Sequence, residues 1–281
     1  MADRTHRARG AGRWYPGDRR SLAAMIEDCL ERARISPFDG RIAAAIAPHA
    51  GYVYSGPVAG HVYRALRDRA AEGQAPDTVV VLGFSHRAAF PGVALLDGGA
   101  IETPLGRAAL DPDSAARLVD CSPRLFFGPD RHGDEHSAEN QIPFLQTVLP
   151  GSKLIVALMG DREPDTVCDC ANALIALAAE RNTLVVASTD LLHDPDYDRV
   201  ARADSETLDR MAAMDEAGLA KRWSYEEQIC CGLAPVQTAL RFAAAQGAKR
   251  GLILGYRNSG DDHPESRGQW VVGYGAVVYP V

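Results

Sequence analysis

A chain of 281 residues that is 46% hydrophobic can bury one large core, which excludes the fibrous and disordered classes. A formal net charge of −7 excludes a dedicated nucleic-acid binder, which needs a basic face for phosphate. No apolar run approaches the roughly 18 residues of a membrane span, and the basic start leads into an amphipathic segment instead of a signal-peptide core, so no membrane partner and a cytoplasmic location are expected.

The basic run Arg4, Arg7, Arg9, Arg13, Arg19 and Arg20, set against Asp3 and Asp18, reads as a solvated tail, flexible over 1–12. After the aromatic turn Trp14-Tyr15-Pro16-Gly17-Asp18, Ser21 is expected to cap a helix over 22–34 with an apolar stripe of Leu22, Met25, Ile26, Cys29 and Leu30. Residues 41–47 form a short apolar strand bounded by Asp39-Gly40 and Pro48. The segment 57–70 reads as a helix with Pro57 at its first position. Thr78-Val79-Val80-Val81-Leu82-Gly83 is a second buried strand, running into Phe84-Ser85-His86.

Short strands are expected around Asp97-Gly98-Gly99, then a turn at Pro104-Leu105-Gly106 and a helix from Pro112. The stretch 121–135 is loop-like, and 136–148 has a helical period. Residues 153–160 read as a strand, 163–181 as an alanine-rich helix and 183–188 as another strand. A long helical region covers 196–223, and Cys231-Gly232 opens a helix to about Gln246. Strands at 251–255 and 270–278 close the chain, with Ser259-Gly260-Asp261-Asp262 as loop. The alternation predicts an α/β fold, a single domain over 1–281 with a mainly parallel central sheet and helices on both faces.

Three apolar strands deliver histidines at their exits: His49, His86, and His193 just after Asp190. In open α/β sheets the crevice beyond the strand ends is where ligands bind. Were these strands neighbours, the side chains would converge into a set of imidazoles and a carboxylate, suited to iron, copper or zinc and not to magnesium. Cys231 offers a further ligand, since a helix start favours thiolate; its neighbour Cys230 reads as a buried, inert thiol. The six cysteines, Cys29, Cys121, Cys168, Cys170, Cys230 and Cys231, include no CxxC pair and are expected to be reduced.

The stretch Asp134-Glu135-His136-Ser137-Ala138-Glu139 has two readings. His132, His136 and Glu139 form a ligand set at helical spacing, or His136 and Glu139 cap a helix beside the site and supply supporting hydrogen bonds. Tyr52, Tyr54 and Ser55 are expected to line the crevice beside His49. Nucleophile-elbow, phosphate-loop, HExxH and deaminase motifs are all absent.

These residues resemble the Memo family, called AmmeMemoRadiSam system protein B in prokaryotes. The match runs through Trp14-Tyr15, Pro48-His49-Ala50-Gly51-Tyr52, Gly83-Phe84-Ser85-His86, Thr103-Pro104-Leu105, Glu135-His136-Ser137-Ala138-Glu139, Ser188-Thr189-Asp190 with His193, and Cys231-Gly232 with Pro235. The resemblance implies a fold like that of class III extradiol dioxygenases, with His49, His86 and Cys231 as ligands of iron or copper and Asp190 and His193 beside them in catalytic roles. Cysteine stands where the true dioxygenases place a carboxylate. That argues against ring cleavage, because a thiolate retunes the metal and is itself oxidisable. The implied function is metal-dependent redox chemistry, or else metal or partner binding in the same crevice. The implied partners are a small-molecule or peptide ligand and proteins of the radical-SAM-associated system.

Overall fold

The computed structural model describes residues 4–281. Its first half contains β1 (Thr5–Arg7), α1 (Arg19–Arg32), β2 (Ile42–Ala47), α2 (Tyr52–Arg69), β3 (Thr78–Phe84), β4 (Val93–Leu95), β5 (Ala100–Thr103), β6 (Gly106–Ala109), α3 (Pro112–Cys121), β7 (Leu125–Phe127), α4 (Pro129–His132) and α5 (Ile142–Val148). The second half contains β8 (Lys153–Met159), α6 (Pro164–Ala178), β9 (Thr183–Ser188), β10 (His193–Asp194), α7 (Tyr197–Ala212), α8 (Glu216–Arg222), α9 (Leu233–Ala245), β11 (Leu252–Asn258), α10 (Ser259–Asp262) and β12 (Val271–Pro280). No described helix is long and apolar enough to cross a membrane.

The nine-stranded main sheet runs β10-β12-β2-β9-β3-β8-β4-β7, with β11 also paired to β12. Its centre, β2-β9-β3-β8, is parallel. The flanks depart from the expected mainly parallel sheet: β12 lies antiparallel to β2, β10 and β11, and β4 antiparallel to β8. The sheet is therefore mixed. Parallel neighbours need a crossover, usually a helix laid over the sheet, and between β11 and β12 the chain makes only short helical turns.

The central strands are apolar on both sides because both sides are covered. Ala45, Ala47, Val79, Val81 and Val186 pack under α1, α2 and α5, whereas Ala44, Ile46, Val80, Leu82, Val185 and Ala187 pack under α3, α6 and α9. This alternation fixes the strand ends as the place where loops gather.

Several boundaries differ from those expected. The N-terminal segment is not a solvated tail: Thr5–Arg7 pairs with Ala100–Glu102 in a small sheet with β6, and the Glu139 carboxylate accepts the N–H groups of Arg9 (2.9 Å) and Gly10 (2.6 Å). Those partners lie more than 90 residues away, beyond the reach of local patterning; the first three residues of the expected tail lie outside the described ones. Asp18, and not Ser21, caps α1, accepting from Ser21 N at 2.9 Å. The second helix starts at Tyr52, which leaves Pro57 inside it. The stretch 121–135 contains β7 and α4. The helix expected from His136 begins only at Ile142, after a 3-10 turn at Glu139–Gln141; the N–H groups of His136 and Ser137 are bound by Glu135.

Candidate metal centre

The pairing β2-β9-β3 places the exits of three strands side by side. His49 follows β2, Thr189 and Asp190 follow β9, and Ser85 and His86 follow β3. Ring nitrogens of His49, His86 and His136 lie within 4.8 Å of one another. The ring centroids of His49 are 5.2 Å from His86 and 5.4 Å from His136.

The hydrogen bonds around His49 settle its tautomer. The Ser188 hydroxyl lies 2.5 Å from the Ser137 carbonyl, which can only accept, so its single proton goes there. It also accepts from the Gln141 amide at 2.7 Å. His49 Nδ1, 3.0 Å from the same oxygen, is therefore the donor, and Nε2 is the nitrogen turned toward the site. That Nε2 lies 3.3 Å from Cys231 Sγ. An N–S edge of about 3.5 Å is what a tetrahedral ion with bonds near 2.0 and 2.3 Å requires.

His86 is held the same way. Its Nδ1 faces Glu135 Oε1 at 3.0 Å and its backbone N–H donates to Oε2 at 2.8 Å. Burial pulls the His86 pKa down, but hydrogen bonding to Cys231 and Glu135 outweighs this and raises it to about 9. Burial would also raise the Glu135 pKa, yet the hydrogen bonds from His86 and the N–H groups of Ser137 and His86 hold it well below the usual carboxylate range. An imidazole whose far nitrogen is anchored by a carboxylate has its ring orientation and basicity set for ligation. His136 is different: burial and the nearby His49 lower its pKa to about 3, and its ring stacks on Trp14 at 3.8 Å with 4° between planes.

Cys231 reaches the site through a close crossing. Gly232 lies against the exit of β9, where an added Cβ would sit 2.7 Å from Ser188 O and 2.9 Å from Thr189 Cβ. Asp190 N donates to Cys231 Sγ at 3.3 Å, and Cys231 N donates to Asp190 O at 3.2 Å. The thiol sits just ahead of α9, whose first residue is Leu233, in the field of a helix start. Cys230 is fully buried, and desolvation pushes its thiol pKa well above the ordinary value. All six cysteines are free.

Asp190 Oδ1 accepts from His49 N (2.8 Å) and Ala50 N (3.2 Å), and Oδ2 lies 3.9 Å from His49 Nε2. His193 is outside the imidazole group; it is exposed, with its ring 6.0 Å from that of Trp270. Glu139 is turned toward the N-terminal segment, bound by Arg9, Gly10 and Tyr15, and His132 bonds to the Ala94 carbonyl. Two residues expected to line the crevice do not. Tyr52 is a core side chain donating to Asn140 O at 2.6 Å, and Ser55 is buried and donates to Ala50 O at 2.8 Å. With the helix starting at Tyr52, both turn inward. Tyr54 is exposed, 4.9 Å from the His263 ring.

A cleft of about 1240 Å³ opens beside these groups, its walls including His86, Cys231, Phe84, Arg162, Trp223 and Tyr225. Sequence reasoning gave no role to Trp14 and Arg162. It placed Glu135 only within a capping stretch, and His136 either in a ligand set with His132 and Glu139 or in a supporting position. Their contacts cross long sequence separations, so no local pattern marks them.

The donor set fits a transition metal: two imidazoles each anchored through Nδ1, a thiol at ligand spacing from His49 Nε2, and a third imidazole facing them. The profile of the Memo-like protein family matches residues 6–278. A MEMO1 family protein of Methanopyrus kandleri is 36% identical, with 96% of each chain covered, and one of Nitrosopumilus maritimus is 30% identical over 96% of this chain and 97% of its own. The crystal structure of an uncharacterized protein from Escherichia coli K12 shares the fold with a TM-score of 0.55 at 15% identity, covering 85% of this chain and all of that one. With the family's motifs set at the ends of adjacent strands and the match spanning almost the whole length, the chain belongs to the Memo family.

Proposed function

We propose that this protein is a metal-dependent redox protein in which His49, His86 and Cys231 hold iron or copper, with His136 facing the same point and the adjoining cleft receiving the substrate. The observation that carries the reading is the pair of anchored imidazoles, His49 on Ser188 and His86 on Glu135, with the Cys231 thiol 3.3 Å from His49 Nε2. Such a nitrogen and sulfur set suits iron, copper or zinc and disfavours magnesium or calcium. A bound iron or copper ion would supply one-electron chemistry to a substrate in the cleft.

The chain's own groups do the rest. Glu135 and Ser188 fix the two rings, and Asp190 Oδ1 straps the His49 loop to the exit of β9. Asp190 Oδ2 is the oxygen left to accept a proton beside the site. His193, exposed near Trp270, is assigned to proton exchange with solvent.

The test is oxygen uptake by protein reconstituted anaerobically with iron(II) or copper(I), screened against small phenols, thiols and organic acids. Uptake above that of the free metal, lost in Cys231→Ala and His86→Ala variants with unchanged circular dichroism, is expected. Stoichiometric metal binding with no uptake above free metal for any substrate would defeat the redox reading.

A further inference from the structure

Apart from the metal centre, Arg162 is the cleft residue whose surroundings call for a ligand. Its guanidinium lies between two rings, 3.9 Å from the centroid of Phe84 and 4.3 Å from that of Trp223, with Tyr225 at 5.9 Å. Its Nε is buried without a hydrogen-bond partner among the described residues. Three of the four acidic groups along the cleft are committed elsewhere. Asp161 accepts from the backbone N–H groups of Gly92 and Glu163, Asp215 pairs with Arg210, and Glu216 pairs with Arg241. Aromatic faces hold a guanidinium in a plane and leave its edge for a bidentate oxyanion.

The position is tied to the metal centre. Phe84 is the spacer, 3.9 Å from the guanidinium carbon on one side and 6.3 Å from the His86 ring on the other. Trp223 donates its indole N–H to the Cys230 carbonyl at 3.0 Å, one residue ahead of Cys231. Arg162 and His86 thus share the Phe84 ring as a common neighbour. The cleft also offers apolar wall from Val167, Ala220 and Leu233, while Asp161, Glu163 and Asp215 at its margin disfavour a dianion.

We propose that Arg162 is the seat for the carboxylate of a small, otherwise apolar monoanionic substrate, held with its other end toward His86 and Cys231. The substrate role rests on the redox reading above; the anion seat itself does not, and metal-free protein tests it. Ligand-observed NMR titrations of chelator-treated protein would compare benzoate, benzamide and phenyl phosphate.

Wild-type protein is expected to bind benzoate at least about tenfold more tightly than benzamide, the scale of a charge-assisted hydrogen-bonded pair. In Arg162→Gln that preference disappears while benzamide binding stays the same. Arg162→Lys, which keeps stem and charge without the fork, serves if the glutamine variant does not fold, and weakened benzoate binding supports the seat. Benzoate affinity unchanged in either folded variant overturns it. Phenyl phosphate binding more tightly than benzoate overturns the assignment to carboxylates. Cys231→Ala is expected to keep the benzoate preference even where it loses the metal; loss of that preference would place the anion at the metal centre and overturn the proposal.

Discussion

Replacing Glu135 by glutamine changes one heavy atom and removes the device that orients His86. The carboxylate receives four donors: His86 N at Oε2, and His86 Nδ1, His136 N and Ser137 N at Oε1. An amide has one oxygen, which will take the Oε1 position to keep three of the four. Its NH2 group then faces the His86 backbone N–H across 2.8 Å. Leaving that desolvated donor unpaired costs about 1–3 kcal/mol, and exchanging a charged for a neutral acceptor at His86 Nδ1 costs about 1 kcal/mol more. For a chain of this size a loss of about 3 kcal/mol lowers Tm by roughly 5–10 °C. Metal affinity is expected to fall about 10- to 100-fold, the usual effect of removing an outer anchor from a ligating imidazole. Differential scanning fluorimetry and a competitive-chelator titration with cobalt(II) measure both. A Glu135→Gln protein with wild-type Tm and wild-type affinity would refute the assignment of Glu135 as the anchor.

Two further substitutions probe the framework. Asp204 is fully buried, and although Leu192 N and Tyr256 OH donate to it, desolvation raises its pKa from 3.8 to about 7. The folded state therefore holds this proton more tightly than the unfolded one. Its contribution to stability declines as pH rises from about 4 to about 7 and is level above, by at most roughly 4 kcal/mol. Urea denaturation should show Asp204→Asn more stable than wild type at pH 8 and equal to it at pH 4; equal stability at both would refute the buried-acid assignment. Gly232→Ala brings a methyl group to 2.7 Å from Ser188 O, forcing the start of α9 away from β9. A loss of about 1–3 kcal/mol and at least about tenfold in metal affinity are expected in the same titrations, and wild-type affinity would show that the crossing does not set the position of Cys231.

The parallel centre was legible because 42–47, 78–83, 153–160 and 183–188 are continuous apolar runs, which only strands covered on both faces tolerate. The histidines after them were legible as strand-exit residues. That β2, β9 and β3 are adjacent was not, since order in a sheet is set by the crossovers and not by local pattern. The antiparallel flanks share that difficulty. Tyr52 and Ser55 were misplaced because a helix start hidden by Pro57 turns them into the core. Glu139 at helical spacing from His136 suggested a shared ligand set, yet it answers donors from Arg9 and Gly10, about 130 residues earlier. The N-terminal run looked solvated because its arginines are exposed while its backbone is what pairs.

The claim that His49, His86 and Cys231 form one metal site is tested most directly by the metal content of untagged protein purified without added metal, measured by mass spectrometry beside Cys231→Ala. Near-stoichiometric iron or copper in the wild type is expected, reduced at least about tenfold in a folded variant. No metal in the wild type, even after anaerobic reconstitution with iron or copper, or equal loading of Cys231→Ala, would contradict it.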